Sequence, residues 1–144
     1  MAFQSVVHLA DEALSQIYTD GEAAYPDECC GFLYGEDGEE RFIQTAVPVI
    51  NSKEGDQRRR FEISPDDYRK AELYALTHDT QLLGVYHSHP DHPAIASIHD
   101  LEKALPYFSY VIVSVITKKV ADIKSWKLRD EERVFDEEKV IIQI

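Results

Sequence analysis

The stretch His87-Ser88-His89-Pro90-Asp91-His92-Pro93-Ala94-Ile95-Ala96-Ser97-Ile98-His99-Asp100 concentrates metal-ligating and proton-moving side chains in one short run. If the residues before it form a strand, His87 and His89 share one face and Ser88 points to the other. Two imidazoles at a strand end can grip one metal ion. A carboxylate from a neighbouring element then makes a three-ligand site with an open position, which a catalytic zinc requires. Asp100 is the candidate carboxylate, in the first turn of a helix opened by Ser97. The positive helix end there favours the ionised form that binds metal. Plainer readings exist for each residue. Ser97-x-x-Asp100 is also an ordinary helix-opening pattern, with the serine as cap and the acid three residues on. His87 and His89, taken singly, read as hydrogen-bonded histidines of a core. The joint spacing favours the metal, and capping and catalysis are compatible in one residue.

These side chains need elements to hold them. Leu9, Ala13, Leu14, Ile17 and Tyr18 recur at helical spacing and predict an opening helix to about Gly21. Strands are expected over Cys29–Tyr34 and, after a turn at Gly35–Gly38, over Arg41–Ile50, which is rich in β-branched residues. Phe61-Glu62-Ile63 alternates apolar and polar. Ser64-Pro65-Asp66-Asp67 is a helix start, with a capping serine, a proline suited to the first turn and acids at the positive end, and that helix should run to about Thr77. Leu82–Tyr86 leads as an apolar run into His87, and a short helix begins near Ser97 and ends before Pro106. Tyr107–Ile116 reads as a central buried strand, with further strands over Val120–Leu128 and Val134–Ile144. Without a strict βαβ rhythm, these elements predict a mixed α/β, α+β-like domain spanning residues 1–144, with a central mixed sheet and helices on both faces.

The bulk properties narrow the function. A chain of 144 residues has the length of one ordinary domain, and 44% hydrophobic with 29% charged residues is a folding composition. The net charge of -12 disfavours nucleic acid as a partner. The basic run Arg58-Arg59-Arg60 reads as a solvated turn. Cys29 and Cys30 are adjacent, which rarely meets disulfide geometry and lacks the spacer of a redox pair. No apolar run is long enough to span a bilayer, so no membrane partner is expected, and the chain reads as soluble and cytoplasmic. Strand edges and the apolar run Val140–Ile144 leave room for a homodimer.

His87-Ser88-His89-Pro90, the seven residues after His89, and then Ser97 and Asp100 resemble the signature of the JAMM (MPN) metallopeptidase family without a gap. Pro26-Asp27-Glu28-Cys29-Cys30-Gly31 resembles the family's second landmark, and Asn51, Phe61-Glu62-Ile63 and Pro65 fall where the family has such features. The wording around Tyr25–Gly31 looks most like stand-alone prokaryotic members. His92 and His99 are additions to the pattern and read as bystanders, and Ala94–Ala96 replaces a proline-containing stretch.

The resemblance implies a cytidine-deaminase-like fold, with zinc held by His87, His89 and Asp100. It implies that Glu28 is the general base and then acid for a water activated by zinc, and that Ser97 is a donor to the developing oxyanion. Cys30 and Gly31 read as packing residues. The donor set suits zinc and also accommodates iron or manganese. The implied substrate is an amide or isopeptide bond after the C-terminal Gly-Gly tail of a ubiquitin-like or sulfur-carrier protein, bound as an extended chain. Two alternatives stay open. A non-enzymatic scaffold of the same fold typically loses metal ligands, which this chain keeps. A zinc hydrolase or deaminase acting on a small molecule is the other; deaminase sites usually show a cysteine pair two residues apart, a spacing Cys29-Cys30 lacks.

Overall fold

The computed structural model describes residue 3 and residues 5–143. Strands β1 (Val6–Ala10), β2 (Cys30–Glu36), β3 (Arg41–Val49), β4 (Gln81–Pro90), β5 (Ser109–Ile116), β6 (Lys119–Arg129) and β7 (Val134–Gln143) alternate irregularly with helices α1 (Asp11–Ala24), α2 (Pro65–Thr77) and α3 (Ile98–Lys103). The strand order is β1-β3-β2-β4-β5-β6-β7, closing on itself as a barrel.

Closure corrects the expectation of a central mixed sheet flanked by helices on both faces. Its cause is β1, whose Leu9 the helical spacing had absorbed into α1. Val7 and Leu9 alternate with partly exposed neighbours and are fully buried, the period-two pattern of a strand. The strand runs parallel to both β3 and β7, so it bridges the two ends of the sheet. The C-terminal run is accordingly not a free edge. Strand β7 pairs with β1 and β6, and Val140 packs against the core. Ile144, the end of the expected last strand, lies outside the described residues.

The mixed α/β composition is as read from the sequence. In α1, Ala13, Ile17 and Gly21 recur every four residues and are buried, and Ala13 and Ile17 join Leu33, Ile43, Tyr86, Val111 and Val113 in one apolar cluster. A second cluster gathers Phe32, Tyr34, Val85 and Tyr110 with Ala71 and Ala75 of α2. Side chains such as Ile17 and Leu33 each contribute about 1.5–3 kcal/mol by leaving water. Helix α2 starts as its residues dictate, with the Ser64 hydroxyl accepting from Asp67 N–H at 3.1 Å and Pro65 in the first turn. Phe61 and Ile63 are buried around an exposed Glu62, but this segment pairs with no strand. Among the described residues, no helix is long and apolar enough to cross a membrane.

Strand β5 is buried at every position but its last and pairs parallel with β4, from Gly84↔Ser109 to Pro90↔Val115. Strand β4 runs antiparallel to β2 on its other side, with Cys30 opposite His87. Central in the sheet and hydrogen-bonded on both sides, β4 is a rigid mount for the histidines at its end.

Candidate metal centre

His87 and His89 stand on one face near the end of β4, as the two-residue period requires. Asp100 meets them from α3. His87 Nε2 lies 3.2 Å from His89 Nε2 and 3.1 Å from Asp100 Oδ1, and His89 Nε2 lies 3.2 Å from Asp100 Oδ2. All three residues are buried, and their donor atoms fall within 4.8 Å of one another. The sequence pattern therefore converges in space.

Several observations fit this cluster to a metal ion. The Pro93 carbonyl can only accept, so the 2.8 Å contact from His89 Nδ1 puts the ring proton there and leaves the Nε2 lone pair facing the site. That lone pair points at a carboxylate oxygen, so two acceptors face each other and positive charge is wanted between them. The protonation preferences express the same deficit. Burial alone would lower the His89 pKa, but the hydrogen bond and charge of Asp100 outweigh it and raise it. His87, fully enclosed, is held below the ordinary histidine value by burial, against the pull of Asp100. Burial alone would raise the Asp100 carboxyl, yet the two imidazoles and the Ser97 N–H hold it well below the usual carboxylate range. His87 stacks on Phe61 at 4.4 Å, which fixes its ring plane.

Helix α3 opens with a reciprocal capping box. The Ser97 hydroxyl accepts from Asp100 N–H at 3.1 Å, and the Asp100 carboxylate accepts from Ser97 N–H at 2.8 Å. The cap thus aims the carboxylate at the histidines, while the Ser97 hydroxyl proton remains available to donate.

Glu28 precedes β2. Continuing the Cys30↔His87 register brings it beside His89, and two contacts lock that alignment. Ser88 N–H donates to the Cys29 carbonyl at 3.2 Å, and the Ser88 hydroxyl accepts from Cys29 N–H at 2.8 Å. Ser88 faces away from His87 and His89, as expected, and spends its side chain positioning the segment that carries Glu28. Glu28 is 6% exposed, and its Oε1 has no hydrogen-bond partner. Burial pushes its carboxyl up to about 8, against the lowering influence of His89. An acid of that pKa can take and return a proton near neutrality. By contrast, burial pushes the Cys29 and Cys30 thiols up to about 12, so neither is a ready nucleophile. Gly31 has a packing role. A Cβ there would stand 2.3 Å from the Tyr86 ring, which crosses β2 at this point and donates its hydroxyl to Asp20.

Asn51 has a role the sequence pattern did not assign. Its amide donates to the carbonyls of Glu28 (3.3 Å) and Arg60 (3.2 Å), while its oxygen accepts from Lys53 and Glu62 N–H. Gln57 adds a carbonyl that accepts from Glu28 N–H at 2.7 Å. One asparagine thus fastens the 51–62 loop across the backbone of Glu28. The resulting cleft, about 510 Å³, is lined by Glu28, His89 and Ser97 together with Arg59, Arg60, His92 and His99. Arg58, Arg59 and Arg60 are exposed as expected of a solvated turn; Arg58 pairs with Asp56 at 3.2 Å, and its two successors and both additional histidines line the cleft.

The fold agrees with the comparisons to known proteins. Residues 10–129 match the family described as prokaryotic homologs of the JAB domain. The chain belongs to this prokaryotic JAMM/MPN family. A desampylase of Pyrococcus furiosus is 29% identical over 118 residues, covering 81% of this chain and 76% of that one. A desampylase of Haloferax volcanii is 30% identical over 105 residues, covering 72% and 74%. A protein of Desulfitobacterium hafniense solved in solution superposes with a TM-score of 0.82 at 27% identity, covering 95% of this chain and 92% of that one.

Proposed function

We propose that the chain is a zinc-dependent metallopeptidase that hydrolyses the amide or isopeptide bond after the C-terminal glycine-rich tail of a ubiquitin-like or sulfur-carrier protein. The observation that carries this reading is the buried convergence of His87, His89 and Asp100 beside an acid with an unpartnered oxygen, Glu28. The kinship with two desampylases supports the substrate class.

His87, His89 and Asp100 would hold the ion, with Ser97 N–H orienting the aspartate and the Pro93 carbonyl orienting His89. Zinc bound there would supply Lewis acidity and make water acidic enough to attack near neutral pH. Glu28 takes the proton from the attacking water at its carboxylate and returns it to the departing amine nitrogen, a relay its elevated pKa suits. Ser97 Oγ donates to the carbonyl oxygen as that oxygen turns negative. The Asn51 and Ser88 contacts hold Glu28 in place between the two proton transfers.

The test is incubation of the chain with a carrier conjugate bearing an amine-linked group on its terminal glycine, with and without chelator. Cleavage that chelator abolishes and zinc restores is expected. Glu28→Gln should retain about one zinc per chain and lose hydrolysis by about two to four orders of magnitude, whereas Asp100→Asn should lose the zinc itself. Undiminished hydrolysis by a zinc-loaded Glu28→Gln chain would remove Glu28 from the mechanism. Chelator-resistant cleavage would remove the metal.

A further inference from the structure

We infer that Arg59 and Arg60 form an anion-binding subsite on the leaving-group side of the cleft, taking a carboxylate that lies a few bonds beyond the scissile amide. This rests on the reading of Glu28 as the group that returns a proton to the departing amine.

The argument begins with charge. The chain holds 27 acidic and 15 basic residues, so a guanidinium has many carboxylates to pair with. Arg41, Arg58, Arg69, Arg129 and Arg133 each lie within ion-pair distance of one. Among the described residues, Arg59 and Arg60 do not. These two are the arginines that line the cleft with Glu28. Among the described residues, arginine charge without a carboxylate in ion-pair contact is thus confined to the wall of one cavity.

The wall is also ordered. The Arg60 carbonyl is held by Asn51, which holds the Glu28 carbonyl with the same amide. Arg60 Nη2 lies 3.1 Å from His99 Nε2. Serving as acceptor there, the imidazole steers the guanidinium while leaving most of its N–H groups unspent. A guanidinium offers a planar fork matched to carboxylate, and partial enclosure strengthens the contact relative to open water. Because the Asn51 amide ties the Arg60 backbone to that of Glu28, and both arginines line the same cleft as Glu28, the anion they would receive belongs beside the amine that Glu28 protonates. Two sources supply that chemistry: the α-carboxylate of a single terminal amino acid, and the side chain of an aspartate or glutamate that follows the tail.

The experiment measures binding without turnover, on the full-length Glu28→Gln chain by calorimetry at low salt. The probes are acetyl-Gly-Gly-Ala as the free acid, acetyl-Gly-Gly-Ala amide, and acetyl-Gly-Gly-Asp amide. At least one carboxylate peptide is expected to bind about tenfold more tightly than the Ala amide, and which one identifies the source. Adding Arg59→Gln and Arg60→Gln should erase that preference while leaving the affinity for the Ala amide unchanged. Both positions are exposed, and an unaltered melting temperature checks that the fold is intact. Arg60→Lys, which keeps charge but not the fork, should retain part of the preference.

Equal binding of all three peptides, absence of binding by any, or a preference that survives the double substitution would overturn the subsite. The two proposals fail separately. A conjugate cleaved by the unsubstituted chain with no carboxylate preference sinks the subsite alone, whereas a carboxylate preference in a chain that cleaves nothing sinks the peptidase reading alone.

Discussion

Glu28→Gln in metal-free protein isolates the energetic cost of keeping an acid in the cleft. The fold holds the Glu28 proton to about pH 8, against an ordinary value of 4.5. A folded pKa above the unfolded one means that the native state binds more protons between those limits, so stability falls as pH rises from about 4.5 to about 8 and is level on either side. At about 1.4 kcal/mol per pH unit, the window costs the fold about 5 kcal/mol once Glu28 is ionised and about 3 kcal/mol at pH 7. Glutamine has nearly the same shape and cannot ionise. Urea unfolding of both chains in chelator, followed by the single tryptophan Trp126, should show similar stabilities at pH 4.5. The Glu28→Gln chain should then be the more stable by about 3 kcal/mol at pH 7 and about 5 kcal/mol at pH 9. Zinc should narrow the difference, because a cation beside the carboxylate favours its charged form. Stability curves that stay parallel from pH 4.5 to 9 would refute the claim that burial governs this acid, and a difference of opposite sign would mean that it is salt-bridged instead.

Three further outcomes follow from the packing. Gly31→Ala places a Cβ 2.3 Å from the ring of Tyr86, which is fully buried and bonded to Asp20, so thermal melts should show a loss of about 1–3 kcal/mol. Leu9→Ala empties a fully buried site on the strand that closes the barrel and should cost about 2–5 kcal/mol, whereas Leu76→Ala, at 82% exposure, should shift stability by less than about 0.5 kcal/mol. Asn51→Ala removes the acceptor of two backbone N–H groups and the donor to two carbonyls. It should cost about 1–3 kcal/mol and speed hydrogen exchange at the amides of Lys53 and Glu62 while leaving exchange in β5 unchanged.

The convergence of His87, His89 and Asp100 was legible because both of its geometric steps are local. Strand period two aligns His87 with His89, and the Ser97 cap determines where Asp100 points. Barrel closure was not legible, because it depends on a five-residue strand pairing in parallel with partners distant in sequence, and Leu9 alone satisfies both the strand and the helix period. Glu28 lies between these cases. Its type and its place before an apolar run are visible in the sequence, but its nearness to His89 follows from the β2–β4 register, and its raised pKa from burial that register creates. Arg58-Arg59-Arg60 is the exposed turn its sequence suggests, but nothing local shows that Arg59 and Arg60 also line the cleft. What Arg60 has in addition is Asn51, whose one amide joins the Arg60 carbonyl to that of Glu28 and so ties the end of this run to the wall of the cleft. A residue type that usually marks a loop therefore ties the backbone of the acid to that of Arg60. Loosening that joint should weaken proton transfer and anion recognition together, whereas removing either arginine's charge should weaken recognition alone.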